Sequence, residues 1–345
     1  MRLNTIPSLT WNWLHMNEAE IESFSLEKDA NVNVTLPDGV EIKNEAPSLE
    51  SVHTGAGEEA DKLVRDAVEK VDRIVLEKDV LISEPLRINY NLSDEVCDCS
   101  AYEIVLKENA SLTVIYNFAA EENAKGNYLN QIKYLCEAGA KLTVIQIQML
   151  NDNIDFINDI GGECHGDGDF HLIQLVLGGK NTYLGCRNEL LGKKSNINMD
   201  LGYLLKDDES LDVNYIVNHI GKKTTCDIDV NGVLKDQSKK VFRGTIDFKQ
   251  GAAGSVGSEL EDVLLMGDDI TNQTIPVILC AEEDVEGNHG ATIGELNDDL
   301  MFYLESRGND RASIYEMMSR ARIDVIKNKI ADSQTRELVD QFLDK

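Results

Sequence analysis

Ala110-Ser-Leu-Thr-Val114 returns as Ala140-Lys-Leu-Thr-Val144, and Ser210-Leu-Asp-Val213 is a looser third copy. The first two lie 30 residues apart, and each is a small residue followed by alternating apolar and polar positions. Alternation sends successive side chains to opposite faces of a strand. A strand that returns every 20 to 30 residues, roughly, with Gly, Asn or Asp at the corners, suits a stacked coil in which each turn covers the apolar face of the last. A sandwich would carry turn signals every ~8 to 12 residues, and these are sparse here. The same period-two pattern runs outward through IVLEKDVLIS (74–83), AYEIVLKENASLTVIYNF (101–118), DFHLIQLVLGG (169–179), KSNINMDLGYLL (194–205), SLDVNYIVNHIG (210–221) and TTCDIDVNGVL (224–234). The reading is a mainly β chain with a β-helix core over residues 73–295.

The period changes at both ends. Residues 1–72 read as a helical and irregular region, with one amphipathic helix carrying Leu14, Ala19, Ile21 and Phe24 and a second over Ala60–Asp72, where Leu63, Val64, Ala67 and Val71 are spaced for one face. Residues 296–345 read as a small helical domain in which Ile314, Met317, Met318, Ala321 and Ile323 make an apolar stripe and Gly308 stops the helix before it.

The 345 residues carry 33 Lys and Arg against 62 Asp and Glu, a net charge of -29. That balance argues against a nucleic-acid backbone or an anionic membrane surface as partner, since both need clustered cations. No run of about 18 apolar residues is present, and the opening MRLNTIPSLTWNWLH lacks the apolar region of a signal peptide. A cytoplasmic location is expected. The seven cysteines are odd in number and scattered, which reads as thiols rather than a disulfide framework.

Among chemistry-bearing residues, Cys97-Asp-Cys99 has no second pair at zinc spacing, and Cys164-His165 sits in a single Gly- and acid-rich bend. His219 and Cys226 flank a turn at Gly221-Lys-Lys and could converge across it, although ordinary strand positions explain them as well. No phosphate-cradling, dinucleotide, zinc-protease or serine-hydrolase motif occurs. Cys280-Ala-Glu-Glu-Asp-Val-Glu-Gly-Asn-His289 is different, because it gathers a thiol, four carboxylates and an imidazole within ten residues. Sulfur, nitrogen and oxygen donors together suit iron with exchangeable positions. Composition alone reads the segment equally well as an exposed acidic turn.

The block 218–323 resembles the SufB/SufD family of iron–sulfur cluster assembly scaffolds. The resemblance is carried by N-H-I-G (218–221), G-V-L-K-D-Q-S-K-K-V-F-R-G-T-I (232–246), L-L-M-G-D (264–268), P-V-I-L-C-A-E-E-D-V-E-G-N-H-G-A-T-I-G (276–294) and F-Y-L-E-S-R-G (302–308). It implies a right-handed parallel β-helix with a C-terminal helical domain, and a cytosolic, non-catalytic scaffold holding a transient iron–sulfur cluster or iron. It also implies a SufC-like ABC ATPase as partner, so that ATP acts only through that partner, and a core dimer formed with itself or with a SufB-type subunit. By motif match the iron or cluster role falls on His289, with Cys280 or Glu283 as a second ligand. Glu261 stands where SufB-type members have a cysteine, and Gly290 follows the histidine where they have an acid, which is the SufD-like pattern. ATPase contacts are expected from Met301, Phe302, Tyr303, Arg307, Met317 and Met318.

Two further expectations concern the site and the rival function. Pro276–Leu279 would enter a sheet edge, pairing would use the last coils near Val277–Cys280, and Gly287-Asn288 would turn to present His289. The alternatives are a β-helix carbohydrate-active enzyme using Asp227 and Asp229, and a purely structural partner of a SufB-type subunit.

Overall fold

In the computed structural model, which describes residues 1–10, 12–22, 26 and 32–344, Leu112, Leu142, Phe170, Ile197, Cys226, Gly257 and Gly287 stack in register. Each belongs to the next coil of a parallel β-solenoid of about eight turns. Every coil gives one strand to each of two nine-stranded sheets. All solenoid strands are parallel except Val32–Thr35 and Ile42–Glu45, which pair antiparallel at the N-terminal end. The quoted repeat is therefore one coil, with Leu112 beside Leu142 and Val114 beside Val144. The looser copy at Ser210–Val213 opens a strand of the opposite sheet. Both sheets share the alternation because both face the same interior.

That interior is apolar and aromatic through the first coils. Tyr90 stacks on Phe118 at 5.1 Å between ring centroids, and Tyr134 on Phe170 at 4.0 Å. Further along it admits polar side chains: Gln146 and Asn158 bond across the coil and Gln174 bonds to Gln146. In the final coils Lys240, Glu259 and Glu261 are buried, Glu259 in the row that earlier holds Val114, Val144, Leu172, Met199 and Ile228.

Each sheet's outer face has its own cover. On one, α1 (Glu58–Ala67) and the first residues of the chain bring Leu3, Ala60 and Val64 against Cys99, Ala101, Leu129 and Ile157. The helix read over Ala60–Asp72 is shorter than expected, because Val71–Leu76 is already the first parallel strand. The helix expected around Leu14–Ile21 does not form. Asn12–Leu14 is a single 3-10 turn, and Ala19–Glu20 pairs with Arg2–Leu3, so backbone pairing across the sheet face takes the place of helical bonding. Phe24 lies outside the described residues.

On the other outer face lie α3 (Arg311–Lys327) and α4 (Ser333–Leu343), with α2 (Asp298–Ser306) packed on α3, and side chains of Asn297, Asp310 and Asp332 cap the N-termini of α2, α3 and α4. Gly308, at φ 91, takes the left-handed conformation that ends α2. Ile323, Ile326, Ile330 and Val339 pack on Ile115, Ile145, Ile147, Ile173 and Leu175 of the sheet. Arg87 pairs with Asp332 at 2.7 Å, and Lys329 with Asp200 and Asp229 at 2.5 Å each. The helices thus run along the flank. The last strands, Thr271–Cys280 and Val285–Gly294, end their sheets with most residues exposed or half-exposed.

Candidate functional site

This open end is where the interior-facing row of the last coil meets solvent. Alternation sets the row, which comprises Thr274, Pro276, Ile278 and Cys280 from one strand and Gly287, His289, Ala291 and Ile293 from the other. A Cβ on Gly287 would meet Ile278 at 3.0 Å, so these two face each other across the coil. His289 sits within the strand and not in a turn. Val285–Gly294 pairs residue for residue with Ser255–Leu264, which keeps Gly287 and Asn288 extended. The corner falls earlier, at residues 281–284, where Glu282 accepts from the backbone N–H of Gly251 and of Glu283, both at 3.0 Å.

The register sets His289 beside Glu259, with Nδ1 3.3 Å from Oε1. The imidazole is 29% exposed and the Glu259 side chain 3%. Glu259 reaches into space left by Gly244, where a Cβ would lie 1.9 Å from its Oε2. Its Oε1 makes no formed hydrogen bond. Burial, reinforced by the Glu261 charge, pushes its carboxyl up to about 8. Glu261, two positions along, is fully committed: it pairs with Lys240, and it accepts a 2.7 Å bond from Thr274 Oγ1, which itself accepts from Lys240 at 2.9 Å. Both charged side chains of that pair are wholly buried, and burial draws the Lys240 ammonium down.

Cys280 is exposed at the corner. Because Ile278 faces Gly287, Cys280 lies level with Val285, four residues from His289, or about 13 Å along the strand at ~3.3 Å per residue. Glu283 is on the exposed corner between them. The coil therefore brings Glu259 to His289 and holds Cys280 and Glu283 away from it. Among the described residues no group of three or more His, Cys, Asp or Glu side chains converges. Glu259 was not singled out from the sequence, although the alternation Gly257, Glu259, Glu261, Val263 does place it on the inner face with Glu261.

Residues 90–322 match the family model described as SUF system FeS cluster assembly, SufBD core domain. The chain belongs to the SufBD family. It is 21% identical over 234 residues to iron–sulfur cluster assembly protein SufD of Bacillus subtilis, covering 67% of this chain and 54% of that protein. With SufD of Escherichia coli the identity is 23% over 284 residues, covering 80% and 67%. A SufBD family protein of Mycobacterium leprae is 21% identical over 225 residues, 63% of this chain and 57% of its own length. The chain thus spans little more than half the length of two of these relatives.

Elsewhere in this SufBD-family chain, His219 and Cys226 do meet across the corner at residues 220–224, with Nε2 3.2 Å from Sγ and Nδ1 2.7 Å from Thr224 Oγ1. The ring stacks on Phe248 at 4.6 Å. Burial draws the imidazole down to about 4 and pushes the thiol up, so the two sit as a neutral pair. Asp229 is engaged by Lys329 at 2.5 Å and by Asn231 at 2.8 Å, leaving Asp227 without the free carboxylate partner a two-acid hydrolysis needs. Cys97 is exposed and Cys99 buried, and the Cys164 thiol is inside the solenoid. Of the helical residues singled out, Phe302, Tyr303, Arg307 and Met317 are exposed, Met318 is half-buried and Met301 is buried. The Arg307 guanidinium lies over the Tyr303 ring at 4.9 Å. No described helix is long and apolar enough to cross a membrane.

Proposed function

We propose that this chain is a non-catalytic scaffold subunit in iron–sulfur cluster assembly, receiving iron and sulfide at the open end of the solenoid with His289 as its own ligand. The observation that carries the reading is the half-exposed imidazole in an otherwise inward-facing row at an uncovered coil end. With one imidazole and no convergent ligand cluster among the described residues, the remaining donors come from a second core subunit, either another copy or a SufB-type chain, closing on the same end. A paired edge is also no longer an aggregation liability. The cluster is cargo, held in passing. ATP hydrolysis belongs to an ABC-type partner seated on the exposed face of α2 and α3, where Phe302, Tyr303 and Met317 present adaptable apolar surface beside Arg307. The names of the relatives support a role in iron–sulfur cluster assembly; the ATPase partner and a cytoplasmic location are part of the proposal.

Anaerobic reconstitution with iron and sulfide, read by absorption, tests the site. His289→Ala is expected to lose iron or cluster with unchanged circular dichroism, and full loading would refute it. Phe302→Ala with Met317→Ala is expected to abolish co-purification of the ATPase, and intact co-purification would move that surface elsewhere. Robust ATP hydrolysis by the isolated chain would refute the scaffold assignment.

A further inference from the structure

The coil places one carboxyl where it can decide which nitrogen of His289 faces outward. Glu259 is 97% covered, by the same measure that leaves the imidazole 29% exposed, and its Oε1 lies 3.3 Å from Nδ1 with no other partner. A buried acceptor left unpaired is costly, so the adjacent ring nitrogen is the group that relieves it. Glu261, the other nearby acid, cannot take that place because Lys240 and Thr274 occupy its oxygens. Gly244 keeps the seat open from the opposite sheet. Histidines that bind metals donate their other N–H to a carboxylate or carbonyl, which sets tautomer and ring orientation.

The geometry points to Glu259 as a positioning residue: its Oε1 accepts from Nδ1–H of His289, so that the lone pair of Nε2 is turned to the open end as the nitrogen for a borderline metal ion such as ferrous iron. The carboxyl does this as carboxylate or through the carbonyl oxygen of the neutral acid, since either accepts a hydrogen bond. The inference rests on His289 being the ligand, and the experiment separates the two.

Long-range proton–nitrogen NMR of the metal-free protein, labelled with 15N at histidine, reads the tautomer directly. The wild type is expected to show His289 protonated at Nδ1. Glu259→Ala is expected to move it to the Nε2-protonated form, and Glu259→Gln, which keeps an acceptor oxygen, to restore the parent signal. Gly244→Ala, which fills the seat, is expected to behave as Glu259→Ala, and circular dichroism establishes that each variant is folded. Titration with Co2+ alone, followed by its ligand-field absorption, is expected to show about 10- to 100-fold weaker binding in Glu259→Ala and near-parental binding in Glu259→Gln. A tautomer unchanged in Glu259→Ala, or Nε2-protonated in the wild type, overturns the inference with the ligand assignment intact. Unchanged Co2+ binding in His289→Ala overturns the ligand assignment beneath it, whatever the tautomer.

Discussion

Replacing Lys240 by methionine should be among the most damaging single changes in the last coils, and replacing its partner as well should undo most of the damage. Lys240 and Glu261 are wholly buried, and Thr274 donates to the same carboxylate at 2.7 Å. The Lys240 ammonium also lies 5.7 Å from the centroid of the Phe242 ring. Lys240→Met keeps the aliphatic stem but leaves the wholly buried Glu261 carboxylate without its cation. Removing one member of such a pair costs about 3–5 kcal/mol. In Lys240→Met with Glu261→Leu no charge is stranded, and well-packed apolar replacement of a buried pair is often neutral or stabilising by ~1–4 kcal/mol. Because coils contact mainly their neighbours, the loss is local. Hydrogen exchange should show protection falling in residues 239–248 and 255–294 while residues 125–149 hold. Urea unfolding gives the magnitude, and the double-mutant cycle gives the coupling. A single variant costing less than about 1 kcal/mol, or a double variant as unstable as the single, would refute the view that the pair is held by mutual compensation in a dry interior.

The buried acids Glu209 and Asp159 should make stability fall as pH rises from 5 to 8, against the smaller opposite contribution of His219, which burial holds neutral. Burial pushes Glu209 up to about 7 and Asp159 up to about 6, from ordinary values of 4.5 and 3.8. Folding therefore favours their protonated forms, and the stabilisation is full below the unfolded values and lost as pH passes through the folded ones. At ~1.4 kcal/mol per unit, Glu209 accounts for up to about 3 kcal/mol. Glu209→Gln should flatten the urea-midpoint profile, and a midpoint rising between pH 5 and 8 would contradict it. Arg243 donates to the carbonyl of Met16 at 2.7 Å and to Asp212 at 2.6 Å, and Asn4 also donates to Asp212 at 2.7 Å. Arg243→Met should release the first 20 residues to limited proteolysis, with resistance equal to the parent as the refuting result. Ile323→Ala, which opens a cavity under α3, should cost about 2–5 kcal/mol in local opening, measured by exchange of residues 311–327. Deleting everything after Arg307 should cause self-association detectable by light scattering, because it uncovers Ile115, Ile145, Ile173 and Leu175.

The stacked coils were legible in the sequence because strand alternation is local, and a repeated Ala-x-Leu-Thr-Val can only align with itself one coil on. The same holds for α3, α4 and the Gly308 stop, whose periods and caps lie within a few residues of one another. Helical spacing around Leu14–Ile21 does not prevail, since Ala19 and Ile21 meet a sheet face formed by residues far along the chain, Leu14 stays exposed, and pairing with Arg2–Leu3 takes the place of helical bonding. Flank packing of the C-terminal helices likewise depends on Ile145 and Ile173 facing outward in one sheet, which no periodicity within the helices encodes. At the site, proximity in sequence suggested Cys280 and His289 together, whereas strand rise separates them by about 13 Å. Glu259, 30 residues from His289, became its neighbour only through the register of Ser255–Leu264 with Val285–Gly294. Sequence determined which residues face inward; the length of each coil, closed in three dimensions, decided which inward residues meet.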